Sequence, residues 1–394
     1  MDIWDHLGIR PVINARSYST KLGGAPLPSS VLDAMRQISG TCVRMDELQE
    51  AAGRTIAAAT GADTGIVTSG AAAGLTLAAA AALCGLDVSR MNRLSDTAGM
   101  PNEILLHRSH RNDYDHALRA AGARLVEVGF SYYTFAYEVE QAISPSTTAL
   151  FYHAGGAGRV MPLAEFVAIA HKHHKPVIVD AAAELPPAQH LRSFIEAGAD
   201  LVVFSGGKHL RGPQSTGILC GRSDLILSAA LQHQDMDIFP HSWPLRQLIA
   251  DGRLAGPPHH GIGRGFKVGK EEIAGLMAAL LAYPHRDFAT EQDAWMRDMT
   301  AIVAAAQGPG VRAFVRFPQD TGRMVPHAVV TLDAAVAGID ANAVINALQE
   351  GEPRIFCFEQ LGDDGTIIFM PEGLNPGEAG IVARRLQEIL TRKS

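Results

Sequence analysis

A lysine near the middle of the chain directly follows a stretch that predicts a buried strand. Residues 201–204 are apolar, Ser205 and two glycines come next, and Lys208 follows them. An amine that is shielded from water has a lowered pKa and becomes a nucleophile, as Schiff-base chemistry requires. The alternative is a surface lysine on a tight hairpin. This stretch alone leaves both interpretations open.

An earlier predicted strand, residues 65–68, ends in small residues that predict an anion-binding site. Ser69, Gly70 and Ala71 lead from that strand into a predicted helix over residues 71–83. Backbone N–H groups at a helix N-terminus attract anions, and small residues let a phosphate come close. The stretch is neither a Walker A loop nor a dinucleotide-binding glycine pattern. Ser69 could instead act only as the cap of the helix.

Asp180 stands at the end of a third predicted strand, residues 177–179. The carboxyl ends of strands in an α/β sheet open onto the crevice where such folds bind ligands. A buried carboxylate without a partner is costly, so Asp180 is expected to pair with a buried cation. Binding of a magnesium ion and capping of a helix are the alternatives.

The order and spacing of these residues are more specific than any one of them. Pyridoxal 5′-phosphate requires a phosphate cradle at a helix N-terminus, a carboxylate for its pyridine nitrogen and a lysine for its aldehyde. Residues 69–71, Asp180 and Lys208 supply these groups in that order, and Ser205 lies close enough to Lys208 to help bind the same phosphate. The sequence therefore predicts a pyridoxal-phosphate site.

Short apolar runs alternate with helix-length stretches over most of the first two thirds of the chain. This pattern predicts a three-layer α/β domain with a mostly parallel, seven-stranded sheet. The predicted strands are residues 65–68, 104–107, 124–128, 149–152, 177–179, 201–204 and 217–219. The connection between the last two is too short for a helical crossover, so these strands are expected to be antiparallel neighbours.

The same pattern predicts three segments: an N-terminal segment over residues 1–30, a large cofactor-binding domain over 31–269, and a linker helix with a small C-terminal domain over 270–394. The density of glycine and proline predicts loops in the first segment. The small domain is predicted to be an α+β layer, with strands near residues 311–317, 326–332, 354–358 and 366–370.

Composition and charge exclude several classes of protein. Of the 394 residues, 47% are apolar and 19% are charged, which is typical of a globular protein. The net charge of -7 argues against nucleic-acid and membrane partners. The four cysteines lie far apart without a Cys-x-x-Cys pair, so we expect neither a metal site nor a disulfide framework, and a cytoplasmic location. The acidic N-terminus lacks the apolar core of a signal peptide.

The chain resembles the fold type I pyridoxal-phosphate enzymes, and within them the aminotransferase class V-like group related to selenocysteine synthase and D-glucosaminate-6-phosphate ammonia-lyase. The resemblance spans most of residues 11–282. It rests on stretches that include Val12-Ile13-Asn14-Ala15, Thr68-Ser69-Gly70-Ala71-Ala72, Val179-Asp180-Ala181-Ala182 and Phe204-Ser205-Gly206-Gly207-Lys208. It implies a homodimer or larger homo-oligomer and a small amine or amino-acid substrate.

The resemblance also implies roles for single residues. Lys208 would be the Schiff-base lysine, Asp180 the partner of the pyridine nitrogen, and His110 a catalytic residue against the cofactor ring. The residues expected to bind the cofactor are Ser69, Gly70, Ala71, His110, Asp180, Ala182, Ser205, Lys208 and Gln214. The alternative for His110 is a polar surface residue.

Two arginines are candidates for an anionic group of the substrate. Arg111 lies next to His110, although it could equally be a solvated surface arginine. Fold type I relatives often carry an arginine a few residues after a Gly-Glu-Pro turn, where it binds the substrate carboxylate. Here Arg354 follows that turn directly and aromatic residues occupy the later positions. The sequence therefore leaves carboxylate recognition open.

The resemblance favours a lyase that eliminates ammonia and a β-substituent from an amino acid or amino-sugar acid. Aldol cleavage, racemisation and transamination begin with the same chemistry and remain alternatives. The disfavoured possibility is selenium transfer to tRNA, because the chain is acidic and carries no visible tRNA-binding extension. A sugar-phosphate-binding α/β protein and a non-catalytic relative are the hypotheses from other classes.

Overall fold

The computed structural model describes residues 3–155, 160–233, 239, 241–319 and 323–391. The strands are β1 (Val12–Asn14), β2 (Thr64–Thr68), β3 (Glu103–His107), β4 (Arg124–Val128), β5 (Thr147–His153), β6 (Val177–Asp180), β7 (Leu201–Ser205), β8 (Gly217–Gly221), β9 (Val311–Arg316), β10 (His327–Leu332), β11 (Arg354–Phe356) and β12 (Thr366–Phe369). The helices are α1 (Ile3–Leu7), α2 (Ser29–Ser39), α3 (Met45–Thr60), α4 (Ala71–Cys84), α5 (Val88–Met91), α6 (His116–Ala120), α7 (Ala136–Ala142), α8 (Leu163–Lys172), α9 (His190–Glu196), α10 (Ser223–Gln232), α11 (Gln247–Ala250), α12 (Lys270–Ala282), α13 (Phe288–Ala305), α14 (Ala334–Ala337), α15 (Ala341–Glu350) and α16 (Glu378–Thr391).

The chain divides into two units, Pro28–Pro284 and Met1–Leu27 with His285–Ser394. These boundaries differ from the predicted ones at 30 and 269. Helix α12, predicted as a linker, packs against α2 and α3 and so belongs to the larger unit. The N-terminal residues belong to the smaller unit because β1 pairs with β11.

The larger unit is built on a seven-stranded sheet of order β2-β8-β7-β6-β5-β3-β4. Strand β8 runs antiparallel to both of its neighbours, and the other pairings are parallel. The predicted fold class and the predicted antiparallel pair are both confirmed. All residues of β3 and β8 are buried, as expected for near-continuous apolar runs inside an α/β sheet.

Helix α4 packs against β7 and β8 in the larger unit. It is composed of alanine, leucine, glycine, threonine and cysteine, and it is buried along almost its whole length. A helix that is apolar on every side is stable only inside a protein core. Its N-terminus follows β2 directly, so the interior packing of α4 fixes the position of the connecting loop.

The smaller unit contains two sheets, and its α+β architecture is as predicted. Strands β9, β10 and β12 form an antiparallel sheet, and β1 pairs in parallel with β11. Helices α13, α15 and α16 contribute to its core, which includes Ile13, Met299, Val330, Phe369 and Leu386. The sequence predicted a loop where β1 lies, because the partner strand is more than 300 positions away and leaves no local signal. Among the helices that the structure describes, none is long and apolar enough to cross a membrane.

Candidate active site

The carboxyl ends of β2, β6 and β7 lie at one edge of the seven-stranded sheet. Thr68 of β2 pairs with Gly217 of β8, and Gly217 pairs on its other side with Ser205 of β7. Asp180 ends the neighbouring strand β6, where it pairs with Val203. The register therefore brings the three stretches that the sequence singled out to the same edge of the sheet.

The loop between β2 and α4 has the geometry of an anion cradle. Gly70 has a φ of +126°, which residues with side chains rarely adopt, and a Cβ built on it would meet no atom within 4 Å. The first intrahelical bond runs from the Gly74 N–H to the Gly70 carbonyl (3.1 Å), so the N–H groups of the three residues before Gly74 have no acceptor within the helix. The Ser69 side chain does not cap α4, which removes the alternative role for that residue.

Strand β8 sets the position of this cradle. A Cβ on Gly217 would lie 2.5 Å from the carbonyl carbon of Gly70 and 2.7 Å from the nitrogen of Ala71. The Thr68 hydroxyl also donates to the Gly70 carbonyl oxygen at 2.8 Å. The backbone of the cradle is thus held from both sides, and only glycine fits at position 217.

Lys208 lies in a tight turn directly after β7. Its carbonyl accepts the N–H of Arg211 at 2.9 Å, and the Gly206 carbonyl accepts the N–H of Gly212 at 2.8 Å. Arg211 has a φ of +59°, in the left-handed region that is unusual for a residue with a side chain. Lys208 is half-buried, so the structure does not support the alternative of an exposed lysine on a hairpin.

The outer part of the turn is anchored within the larger unit. The His209 Nδ1 atom lies 2.8 Å from the Tyr283 hydroxyl, and both side chains are buried. Gln214, a predicted cofactor ligand, packs so closely on Gly207 that a Cβ there would lie 2.7 Å from its Oε1 atom. Gln214 therefore lies beside the lysine turn, and its role toward the cofactor stays a prediction.

Asp180 is buried, with 4% of its surface exposed. Its Oδ1 atom accepts the N–H of Ala182 at 3.0 Å, which fixes the orientation of the carboxylate. No described residue donates a hydrogen bond to Oδ2, so that oxygen can accept a proton donor from a ligand. The next helix, α9, begins ten residues later at His190, so Asp180 does not cap a helix as one alternative had it.

His110 is a buried residue on the short 3₁₀ turn Arg108–His110 that follows β3. Its Nδ1 atom accepts the backbone N–H of His153 at 3.2 Å, so the neutral ring carries its proton on Nε2. Nε2 is buried and has no partner among the described residues. Burial, with smaller contributions from His107 and His153, lowers the pKa of His110 to about 3. His110 is therefore a neutral hydrogen-bond donor and not a polar surface residue.

His107, which the sequence did not single out, packs against His110. The two ring centroids are 4.7 Å apart in an edge-to-face arrangement, and Tyr152 makes the same kind of contact with His110. Burial lowers the pKa of His107 to about 4. The signal that could have identified His107 in the sequence is its position at the carboxyl end of a predicted strand. His153 donates its backbone N–H to His110, and the sequence could not reveal this contact because every residue except proline carries that group.

The two candidate substrate arginines have partners of their own. Arg111 forms ion pairs with Asp115 and Glu127, of which Asp115 is buried. In the smaller unit, Arg354 donates from Nε to the Gln349 carbonyl at 2.9 Å. These contacts favour structural roles, and substrate binding by either arginine stays a prediction.

The fold and this edge of the sheet define an enzyme of the fold type I pyridoxal-phosphate class. Three observations fit that cofactor: open space in front of the Gly70 cradle, an available Oδ2 atom on Asp180, and a buried Nε2 donor on His110. The side chains have the chemistry that its phosphate, pyridine nitrogen and ring require.

Comparison with known proteins identifies the family. Residues 29–233 match the aminotransferase class-V family. A 5′-C-glycyluridine monooxygenase-decarboxylase from Streptomyces sp is 35% identical over 98% of this chain and 92% of that protein. The D-glucosaminate-6-phosphate ammonia lyase of Salmonella typhimurium is 32% identical over 98% of both chains. A solved structure of a D-glucosaminate-6-phosphate ammonia-lyase superposes with a TM-score of 0.82 at 30% identity, covering 99% of this chain and 98% of that one.

The chain belongs to the aminotransferase class-V family. The predicted relationship to the ammonia-lyase and selenocysteine synthase group is confirmed. An L-seryl-tRNA(Sec) selenium transferase from Moorella thermoacetica is 28% identical, but only over 49% of this chain and 37% of that protein.

Proposed function

We propose that the chain is a pyridoxal-phosphate-dependent lyase that removes ammonia and a β-substituent from an amino acid or amino-sugar acid. The observation that carries the proposal is the strand register that aligns Thr68, Gly217 and Ser205, with Asp180 one strand further. The similarity over the whole chain to an ammonia lyase supports the reaction type.

The cofactor would be held by groups from three strand ends. The N–H groups at the start of α4, with Ser69 and Ser205, would bind its phosphate. The Asp180 Oδ2 atom would accept the pyridine N–H and keep that nitrogen protonated. His110 would lie against the ring, with Ala182 and Gln214 as further contacts. When bound, pyridoxal phosphate supplies a conjugated ring that accepts the electron pair left at the α-carbon of the substrate.

Lys208 would have two roles. Its amine would hold the cofactor covalently in the resting protein and release it when the substrate amine arrives. The freed Nζ atom would then take the proton from the α-carbon of the substrate. The backbone hydrogen bonds of the tight turn support this proposal, because they hold the main chain of Lys208 in a defined position from which its side chain would act.

Borohydride reduction tests the cofactor assignment. Protein reconstituted with pyridoxal phosphate is expected to show an absorbance band near the visible edge, which reduction removes while leaving a label on Lys208. Lys208→Ala should keep the fold and lose the label. The absence of a band, or a label on another residue, contradicts the proposal. Release of ammonia from D-glucosaminate 6-phosphate then tests the reaction.

A second candidate reaction is the oxidative decarboxylation of a glycyl-nucleoside. The 35% identity to a 5′-C-glycyluridine monooxygenase-decarboxylase favours this alternative. The two reactions differ in what they consume and release. Oxygen consumption with carbon dioxide release indicates the decarboxylase, whereas ammonia release without oxygen consumption indicates the lyase.

We also infer a homodimer or larger homo-oligomer. Four exposed aromatic residues support this inference, because monomers rarely leave adjoining rings in water: Phe130, Tyr132, Phe135 and Tyr137. Sedimentation equilibrium tests it, and a mass of one chain contradicts it. The cytoplasmic location and the absence of a nucleic-acid partner stay predictions, which cell fractionation and RNA-binding assays would examine.

A further inference from the structure

The lysine turn after β7 packs directly against helix α12 of the same unit. A Cβ on Gly206 would lie 2.6 Å from the Cδ1 atom of Leu276, and a Cβ on Gly212 would lie 2.9 Å from the same atom. On the side of the helix, a Cβ on Gly275 would lie 2.8 Å from the Cγ atom of Pro213. Each distance is shorter than real Cβ contacts, so the backbones of the turn and the helix approach each other only because these positions are glycines.

One buried hydrogen bond joins the same two elements. Tyr283 directly follows α12, and its hydroxyl lies 2.8 Å from the Nδ1 atom of His209, the residue next to Lys208. The two rings meet edge to face, with centroids 5.6 Å apart. The His209 side chain is 1% exposed and that of Tyr283 is fully buried. This contact therefore connects the neighbour of the lysine to the end of the helix inside the core.

A polar pair at a buried position has a cost that an apolar pair would not have. The imidazole and the phenol hydroxyl lose hydrogen bonds to water on burial, and the bond between them compensates for that loss. What the pair adds is direction. Two apolar rings can slide over each other, whereas a hydrogen bond of this length is satisfied in one relative position. The contact thus sets the position of the backbone at His209, and with it that of Lys208.

The turn needs such an anchor because its backbone is strained. Arg211 has a φ of +59°, in the left-handed region that residues with side chains rarely adopt. Strain of this kind persists only where the surrounding structure enforces it. The bonds from Arg211 to Lys208 and from Gly212 to Gly206 lie within the turn. The contacts with α12 hold the turn from outside.

The chemistry expected of Lys208 depends on where its amine lies. In the resting protein the uncharged Nζ atom would attack the aldehyde carbon of the cofactor, so that a C=N bond replaces the C=O bond and one water molecule leaves. Holding the two groups in place makes this link favourable, and a misplacement of about 1 Å can cost about 100-fold. The cradle at Gly70 and the Asp180 carboxylate would hold the other parts of the cofactor, so a shift of the turn should affect the link and little else.

We propose that His209 and Tyr283 are positioning residues for Lys208. Their hydrogen bond holds the lysine turn on α12, and the turn places Nζ within reach of the cofactor aldehyde. Both residues act through Lys208 and not on the cofactor itself. This inference rests on the proposed function, because it takes Lys208 to be the Schiff-base lysine.

Cofactor binding in two backgrounds tests the proposal. Tyr283→Phe removes the hydroxyl and keeps the ring. With Lys208 present, the apparent affinity for pyridoxal phosphate should fall about 10-fold, because a displaced amine forms the link less readily. In the Lys208→Ala background, which can form no link, the same change should leave the affinity unaltered. Equilibrium dialysis of the four apoproteins, in a buffer without primary amines, completes this double-mutant cycle.

Two substitutions of His209 test the other side of the same hydrogen bond. His209→Leu removes the partner while Tyr283 stays in the core, so it should lose affinity as Tyr283→Phe does. His209→Asn places an amide near the position of Nδ1, which can accept or donate, and should keep most of the affinity. The fraction of each protein that borohydride labels on Lys208, at one fixed cofactor concentration, should follow the same order.

Tyr114→Phe is the matched control. It removes the same hydroxyl from a side chain that is 65% exposed. This variant should bind the cofactor as the wild type does. Circular dichroism shows which variants are folded, and if Tyr283→Phe is not, the comparison of His209→Leu with His209→Asn decides.

Three outcomes overturn the proposal: equal losses in the two backgrounds, which indicate a purely structural role; wild-type affinity in both Tyr283→Phe and His209→Leu; or a loss in Tyr114→Phe as large as that in Tyr283→Phe. Failure here is separable from failure of the proposed function. A label on Lys208 with wild-type affinity in Tyr283→Phe rejects only the positioning role, whereas an unlabelled wild type rejects the cofactor assignment.

Discussion

At the scale of single residues, the interaction of greatest consequence is the one expected between Asp180 and the cofactor. Asp180→Asn keeps the shape of the side chain and removes its charge. Loss of one partner from a buried ion pair costs on the order of 3–5 kcal/mol. We expect kcat/KM to fall at least about 100-fold while the protein remains folded.

The matched control for that variant is Asp224→Asn on α10, where the side chain is 54% exposed. Steady-state kinetics with the cofactor at saturation give the comparison. An Asp180→Asn enzyme with the activity of the control would show that the carboxylate does not serve the pyridine nitrogen.

His107 gives the site a predictable acid sensitivity. Its pKa is lowered by burial to about 4, whereas an unfolded histidine titrates at about 6.5. Between these values the unfolded chain binds a proton that the folded chain excludes. Stability is therefore full above about pH 6.5 and falls as the pH drops toward 4, with a loss of about 2 kcal/mol at pH 5.

His107→Phe removes this group while keeping an apolar ring against Phe166, whose centroid is 4.5 Å from that of His107. Between pH 7.5 and pH 5, the melting temperature of the His107→Phe variant should fall less than that of the wild type. The two decreases should differ by a few degrees. His116→Phe, at an exposed position, should behave like the wild type. Identical acid sensitivity in all three proteins would contradict the assignment.

Residue types and spacing were enough to predict the main chemical groups at the edge of the sheet. The sequence identified Lys208, Asp180 and the residues after β2 because each of them lies at the end of a buried apolar run. The ends of such strands form the ligand-binding crevice of an α/β sheet, so polar residues there indicate a binding site. The tautomer of His110 was beyond the sequence, because it depends on the backbone N–H of His153, 43 positions away. The pairing of Val12 in β1 with Arg354 in β11 was likewise beyond the sequence, because the two residues lie far apart in the chain.

At the scale of elements, the contact between β8 and the phosphate cradle is the most sensitive. A methyl group on Gly217 would lie 2.5 Å from the carbonyl carbon of Gly70, which is closer than real Cβ contacts. Gly217→Ala should therefore displace the loop at the start of α4. We expect the affinity for pyridoxal phosphate to fall about 10-fold or more, with helix content by circular dichroism unchanged.

Gly256→Ala is the control for that variant, because a Cβ there meets no atom within 4 Å. Titration of each apoprotein with the cofactor, followed by absorbance, provides the affinities. Equal affinities in the two variants would mean that the cradle does not bind the phosphate.

Elements were predicted well where the signal is local and poorly where it is not. The seven strands of the larger unit follow from alternating apolar runs, and the antiparallel pair β7 and β8 follows from a connection too short for a helix. Strand β1 has only three residues and gains its stability from β11, so the sequence predicted a loop there. Helix α12 was identified as a helix, but its packing on α2 and α3 had no signature in its own residues.

At the scale of the whole molecule, the division into two units makes a prediction about where the cofactor stabilises the chain. Lys208, Asp180, His110 and the cradle at Gly70 all belong to the unit Pro28–Pro284. A ligand that binds only the folded state at 100 times its Kd adds about 2.7 kcal/mol of stability. Hydrogen exchange should show more protection in the reconstituted protein than in the apoprotein, in the strands β2, β6 and β7 and in the loops after them.

The core strands β10 and β12 of the smaller unit serve as an internal reference, and their exchange should change little. A protein reconstituted with phosphate alone is a second control, and it should show added protection only around the cradle. Protection that rises equally in both units, or only in the smaller one, would place the cofactor elsewhere and reject the assignment of the site.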